Sequence, residues 1–268
     1  MANRPHDTGA EAWGVQGAIL SRLAPEKRLE LAIDLSEGVR AIRLAGVRAR
    51  DPGSRDAGGV SQIVAERPVR ARFAEHSSLA AFFGSIVQVL DDAGIPHMLT
   101  GSLAAAFYAV PRATQDVDFV VDLQRSDIER LIQGLTTAGL YVSSDAALVA
   151  LETEGQFNAI DPETGWKADL VIRKDRPFSA AEFTRRQRAS LLGVDVAVTS
   201  LEDLIVAKLE WGQLADSELQ RRDTASLLEA GWASIDRAYV ESWVTALGLQ
   251  TAWEQALARI GKAGSRSD

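Results

Sequence analysis

The stretch Pro96-His-Met-Leu-Thr-Gly-Ser-Leu-Ala-Ala-Ala-Phe-Tyr-Ala-Val-Pro-Arg-Ala-Thr-Gln-Asp-Val-Asp-Phe-Val-Val-Asp-Leu123 decides how this 268-residue chain is read. His97–Thr100 is a short extended run. Gly101-Ser102 is a turn whose glycine permits positive φ and close approach of a ligand to the backbone. Leu103–Ala109 is small and apolar, suited to a helix packed closely on a sheet, and Pro111 ends it. Asp116–Leu123 alternates carboxylates with apolar residues and then becomes an apolar run. The order is strand, turn, short helix, loop, strand.

Alternation turns this order into chemistry. Residues i and i+2 of a strand share a face, so Asp116 and Asp118 project side by side while Val117 and Phe119 go to the core. Two carboxylates this close resist joint ionisation unless a cation sits between them. Their hard oxygens suit Mg²⁺, which also takes oxygens from substrate phosphates. Gly101-Ser102 opens a helix, and a helix N-terminus offers free N–H groups and a positive dipole end to an anion. A phosphate cradle and a carboxylate clamp joined by one short helix fit a nucleoside triphosphate.

Gly101-Ser102 followed by Arg112-Ala-Thr-Gln-Asp116-Val-Asp118 resembles the Gly-Ser…Asp-x-Asp signature of the DNA polymerase β-like nucleotidyltransferase superfamily. Within it the match is nearest to small bacterial nucleotidyltransferases related to AbiEii-type abortive-infection toxins. Asp-x-Asp alone is common, and metal-dependent glycosyltransferases use it. The Gly-Ser helix start one strand earlier favours nucleotidyl transfer. The resemblance implies a third acidic ligand on a later strand, and Asp169 matches that position. It also implies a lysine that reaches the nucleotide phosphates, matched by Lys208 in Ser200-Leu-Glu-Asp-Leu-Ile-Val-Ala-Lys208-Leu-Glu-Trp211. Asp122, Asp161 and Asp175 are weaker candidates, past the strand, in a turn and beyond a strand end. Arg112 is expected to pair with a neighbouring carboxylate, Thr114 to shape the loop, and Arg222 and Asp223 to fix helix packing.

The fold implied by the resemblance is α+β: a small mixed β-sheet with a palm-like nucleotidyltransferase core, helices mainly on one face and the carboxylates at one edge. C-terminal helices come after it and an N-terminal helical arm precedes it. The implied activity is metal-dependent transfer of a nucleoside monophosphate from a nucleoside triphosphate to an acceptor hydroxyl. Asp116, Asp118 and Asp169 would hold two Mg²⁺ ions, with Gly101, Ser102 and Lys208 on the phosphates. A small molecule, a tRNA end and a protein side chain all stay open as acceptor. The alternative is a catalytically silent binding module, or a toxin–antitoxin-like fusion, acting through the arm.

Composition agrees with a globular chain. Hydrophobic residues make up 46% and charged residues 25%, as in ordinary water-exposed domains. No cysteine is present, which excludes a disulfide framework and thiolate metal sites and fits a cytoplasmic setting. The net charge of −8 lacks the basic field of a non-specific nucleic-acid binder. No apolar run reaches membrane-spanning length, and Met1–Ala10 lacks a signal-peptide pattern.

Along the chain, four regions are expected: a helical arm over 1–50, a linker over 51–75, a core over 76–200 and a helical region over 201–268. Residues 1–15 read as disordered and Lys262–Asp268 as frayed. In the arm, Leu29, Ala32, Ile33 and Leu35 fall near helical spacing, with Pro25 in the first turn. Residues 16–50 are a candidate protein-binding surface. Leu23–Ala32 and Ala45–Arg50 resemble a small helical protein associated with neighbouring genes of such nucleotidyltransferases. Pro52, Gly53, Gly58, Gly59 and Pro68 mark the linker. Leu79, Phe82, Phe83, Ile86, Val87 and Leu90 share a helical face, closed by Gly94. Ser126 is expected to cap a helix over 127–138 that ends at Gly139, with a strand over Leu148–Thr153. Gln156–Ile160 and Trp166–Ile172 form a hairpin about Asp161–Gly165. A helix over Phe178–Arg188 precedes a last strand, Val194–Val198. Thr199 or Ser200 caps the helix carrying Lys208. Trp232, Trp243 and Trp253 pack the final helices.

Overall fold

The computed structural model describes residues 20, 22–50, 78–114 and 116–261. The expected linker, residues 1–15 and residues 262–268 lie outside the described residues. Among the described residues the chain forms a mixed α/β fold with one seven-stranded sheet. In chain order, α1 is Pro25–Arg50, α2 Ser78–Asp92, β1 His97–Thr100, α3 Gly101–Tyr108 and β2 Asp116–Val121. Next come α4 Ile128–Thr137, β3 Tyr141–Val142, α5 Ser144–Thr153, β4 Gln156–Ile160 and β5 Lys167–Ile172. They are followed by α6 Pro177–Thr184, β6 Gln187–Leu191, β7 Val194–Val198, α7 Leu201–Leu214, α8 Glu218–Gly231, α9 Arg237–Ala246 and α10 Gln250–Arg259.

The strand order is β3-β4-β5-β2-β1-β7-β6. β2 pairs antiparallel with β1 and parallel with β5, and β1 pairs parallel with β7. The carboxylate strands therefore stand in the middle of the sheet, whereas the sequence placed the acids at an edge. The reason is the parallel β2–β5 pair: its crossover through α4, β3, α5 and β4 adds strands outside β5.

Alternation separates the two faces. Val117, Phe119 and Val121 of β2 are fully buried, and Phe83 of α2 stacks on Phe119 with ring centroids 5.8 Å apart. Leu131 and Leu135 of α4, Ala147 and Ala150 of α5, and Phe157 and Leu170 of the sheet join the same core. Each large apolar side chain among them, fully buried, contributes about 1.5–3 kcal/mol. Asp116, Asp118 and Val120 take the opposite face.

Three local expectations are corrected. Leu148–Thr153 belongs to a helix, α5, because the Ser143 side chain accepts from the Ala146 N–H and starts a helical turn. A short apolar run carries no period of its own to resist that. Ser126 makes no cap hydrogen bond; a 3₁₀ turn over Arg125–Asp127 leads into α4 instead. The helix expected over Phe178–Arg188 ends at Thr184, and Gln187–Leu191 is an edge strand. Leu192 and Gly193, both at positive φ, make the two-residue turn that pairs it with β7, as hairpin twist requires. Ser200 does cap α7, accepting from the Asp203 N–H. No helix among the described residues is long and apolar enough to cross a membrane.

The arm helix α1 docks on α3. Leu29, Ala32 and Ile33 are buried there, while Leu35 is exposed. Arg28 donates to the Phe107 carbonyl, and Glu37 accepts from the Leu79 N–H at 2.7 Å. The expected partner surface, residues 16–50, lies partly outside the described residues, at 16–19 and 21.

Candidate active site

Register brings the acids together. In the parallel β2–β5 pair Asp118 stands opposite Asp169, and Asp116 opposite Lys167. On the far sides Thr100 faces Asp118 and Asn158 faces Asp169. Paired residues share a face, and neighbouring strands run about 4.8 Å apart. Asp116, Asp118 and Asp169 accordingly offer carboxylate oxygens that all lie within 4.8 Å of one another. Among the described residues these three form the acidic cluster compact enough to share a cation.

Each acid is held differently. Asp116 accepts from the Thr114 hydroxyl at 3.1 Å. The Thr114 N–H donates in turn to the Ser36 hydroxyl at 2.8 Å, so α1 braces the loop that aims Asp116. Asp169, nearly buried, accepts from Asn158 Nδ2 at 3.0 Å and from Lys167 Nζ at 2.8 Å. Burial pushes the Asp118 carboxyl up to about 7, the charges of Asp116 and Asp169 push the same way, and Lys208 and the Ser102 N–H oppose them.

Gly101 has a reason tied to that carboxylate. Its φ is +67°, and a Cβ there would stand 1.9 Å from Asp118 Oδ2. Any side chain at this position would evict Asp118. The close approach expected of a ligand is made instead by the Asp118 side chain. The Ser102 hydroxyl accepts from Arg112 at 2.6 Å. The same guanidinium forms a two-pronged pair with Asp223, both contacts 2.9 Å. Lys208 is 3% exposed and donates to Asp223 at 2.8 Å and to Gln220 at 3.0 Å. That leaves one of its three donors. Arg112 thus pairs with a carboxylate as expected, but with one on α8, 111 positions away, and not with a neighbour in the sequence.

A cavity of about 240 Å³ opens beside the acids. Gly101, Ser102, Asp118 and Lys208 line one part of it. Arg173, Lys174, Phe178, Glu182 and Trp211 are also among its lining residues. Sequence reasoning missed Glu182. It is buried on α6, where one oxygen accepts from the Thr199 hydroxyl at 3.1 Å. Burial, then the charge of Asp203, push its carboxyl up to about 8 against that hydrogen bond. Lys167 and Asn158 were missed too; only the strand register reveals them. Asp122 pairs with Arg173 at 3.1 Å. Asp161 closes the β4–β5 turn by accepting from the Glu163 N–H and the Thr164 hydroxyl.

The three acids suit a hard divalent cation. Their donor set is all oxygen, as Mg²⁺ and Mn²⁺ prefer. A cation already stands among them, since Lys167 Nζ lies 2.8 Å from Asp169 Oδ2 and 3.6 Å from Asp116 Oδ2.

No protein-family model matches the chain, and a comparison with curated proteins finds no match. Several solved structures are similar. One is ANT(2″)-Ia in complex with adenylyl-2″-tobramycin, at 15% identity over 66% of this chain and 99% of that chain, TM-score 0.44. Another is an antigenic nucleotidyltransferase-like protein from Paracoccidioides brasiliensis, at 17% identity over 70% and 94%, TM-score 0.43. A third is the lincosamide antibiotic adenylyltransferase LnuA, lincomycin-bound, at 14% identity over 56% and 96%, TM-score 0.38. Identities this low and superpositions this loose assign neither a family nor a substrate.

Proposed function

We propose that the chain is a metal-dependent nucleotidyltransferase of the polymerase β-like type. It would move a nucleoside monophosphate from a nucleoside triphosphate to an acceptor hydroxyl. One observation carries the reading: Asp116, Asp118 and Asp169 converge within 4.8 Å, and Asp118 lines a cavity together with Gly101, Ser102 and Lys208.

Asp116, Asp118 and Asp169 would hold divalent metal, with Mg²⁺ the ion their oxygens suit best. Bound there, it supplies charge neutralisation on the phosphates and a lowered pKa for the acceptor hydroxyl. The chain's own groups do the rest. Gly101 and Ser102, at the start of α3, face the triphosphate with the positive end of the helix. Lys208, oriented by Asp223 and Gln220, turns its remaining donor to the same oxygens. Arg112 fixes Ser102. Asp169, set by Asn158, receives the acceptor's proton. The acceptor oxygen then bonds the α-phosphorus as the bond to pyrophosphate breaks. Trp211, 45% exposed, gives the cavity aromatic surface on which a base or an apolar acceptor could rest.

Thermal shift against the four nucleoside triphosphates, each with Mg²⁺, tests the donor site. One of them is expected to raise Tm by several degrees at a hundredfold excess over Kd, since such binding adds about 2.7 kcal/mol. No shift with any of the four would count against the reading.

A further inference from the structure

Lys167 begins β5 directly opposite Asp116. It stands two residues before Asp169 and so projects on the same face. Its ammonium contacts Asp169 Oδ2 at 2.8 Å and Asp116 Oδ2 at 3.6 Å. Asp118, the third acid, has an oxygen within 4.8 Å of both neighbours. Without a positive charge, three carboxylates at this spacing repel one another. Lys167 supplies that charge from within the fold.

We propose that Lys167 is a resident counter-ion that a divalent metal must displace, so that metal and triphosphate bind cooperatively. The inference rests on the metal site proposed above. The oxygens Lys167 engages belong to the acids that would hold the metal, and an ammonium on them puts a like charge where the cation would stand. In the nucleotide-free protein the ammonium and the metal therefore compete. A triphosphate changes the balance, because its anionic oxygens give the ammonium another partner. Lys167 can make the move. Its side chain is 32% exposed, and a lysine is a compact charge with rotatable donors on a four-carbon stem. Departure of the ammonium frees Asp116 and Asp169 together. Coupling of this kind is reciprocal, so metal tightens triphosphate by the factor by which triphosphate tightens metal.

The test is titration with Mn²⁺ followed by electron paramagnetic resonance, with and without inorganic triphosphate. It uses the full chain carrying Lys167, Lys167→Met or Lys167→Arg. Lys167→Met is expected to bind Mn²⁺ alone on the order of tenfold tighter than the unaltered chain, and triphosphate is expected to tighten it by a smaller factor than it tightens the unaltered chain. Lys167→Arg keeps the charge and should keep the weak nucleotide-free affinity. A purely structural lysine would not separate the two variants this way. Metal-free Lys167→Met should also melt lower than the unaltered chain and regain the difference with Mn²⁺; if it does not fold, Lys167→Gln replaces it with the same expectation. The inference is overturned if removing the charge leaves Mn²⁺ affinity unchanged or weakens it while triphosphate affinity falls, because Lys167 is then a phosphate contact. An unaltered, folded chain that binds no Mn²⁺ under either condition overturns the metal site itself, and the two failures are thereby distinct.

Discussion

A chain carrying both Asp116→Asn and Asp118→Asn is expected to transfer labelled nucleotide at least about a thousandfold more slowly, while remaining folded. The size comes from what the acids do. A metal at a phosphoryl centre supplies several kcal/mol of transition-state stabilisation, and about 4 kcal/mol corresponds to three decades of rate. Asparagine keeps the shape and one carbonyl oxygen but removes the charge that binds the cation. The fold should not suffer. Val117 and Phe119, which anchor β2 in the core, are untouched, and the substitution relieves the repulsion that helps push the Asp118 carboxyl up to about 7. The measurement is transfer of α-labelled nucleoside triphosphate, with circular dichroism and Tm alongside. Undiminished transfer by the folded double variant would remove the mechanism.

Asp223→Ala is expected to be the most damaging single change to stability outside the apolar core. Asp223 accepts two contacts from Arg112 and one from Lys208. The residues are 111 and 15 positions away from it, so the cluster ties α7 and α8 to the loop before β2. Removing the shared acid leaves two cations facing each other, one of them almost wholly buried. Breaking a buried ion pair from one side costs about 3–5 kcal/mol. Urea unfolding should show that loss as a lower midpoint at unchanged m. A loss under about 1 kcal/mol would mean that water or Gln220 replaces the carboxylate. Burial raises the Asp223 carboxyl, but Arg112 and Lys208 outweigh it and hold the group below its usual range. A lowered folded pKa stabilises above the ordinary carboxylate range and is lost as pH falls through the folded value. The variant's deficit should therefore be full at neutral pH and shrink in acid.

Much of the site was readable in the sequence because it depends on local rules. Asp116 and Asp118 share a face by strand alternation alone. Ser200 announces α7 through Glu202 and Asp203, and Asp161–Gly165 announces the β4–β5 hairpin. Asp169 needed a family pattern, because nothing local distinguishes it from any strand carboxylate; the β2–β5 register places it against Asp118. That same register hides Lys167 and Asn158 from a sequence reader. Arg112 and Asp223 meet across a long loop closure, which no window reveals. β6 was missed because Gln187 and Arg188 are exposed on an edge strand, where charge protects the edge and erases the apolar alternation. α5 was read as a strand because Leu148–Leu151 is apolar on consecutive positions and its helix depends on the Ser143 cap.

The proposed function requires that three acids on two neighbouring strands hold a divalent cation beside a nucleotide. Crystals grown with Mn²⁺ and a non-hydrolysable nucleoside triphosphate analogue test it most directly, through the anomalous signal of manganese. A peak is expected at bonding distance, roughly 2.0–2.3 Å, from oxygens of Asp116, Asp118 and Asp169, with phosphate density alongside. Nucleotide bound in the cavity with no manganese peak at these carboxylates, or with manganese elsewhere, would contradict it.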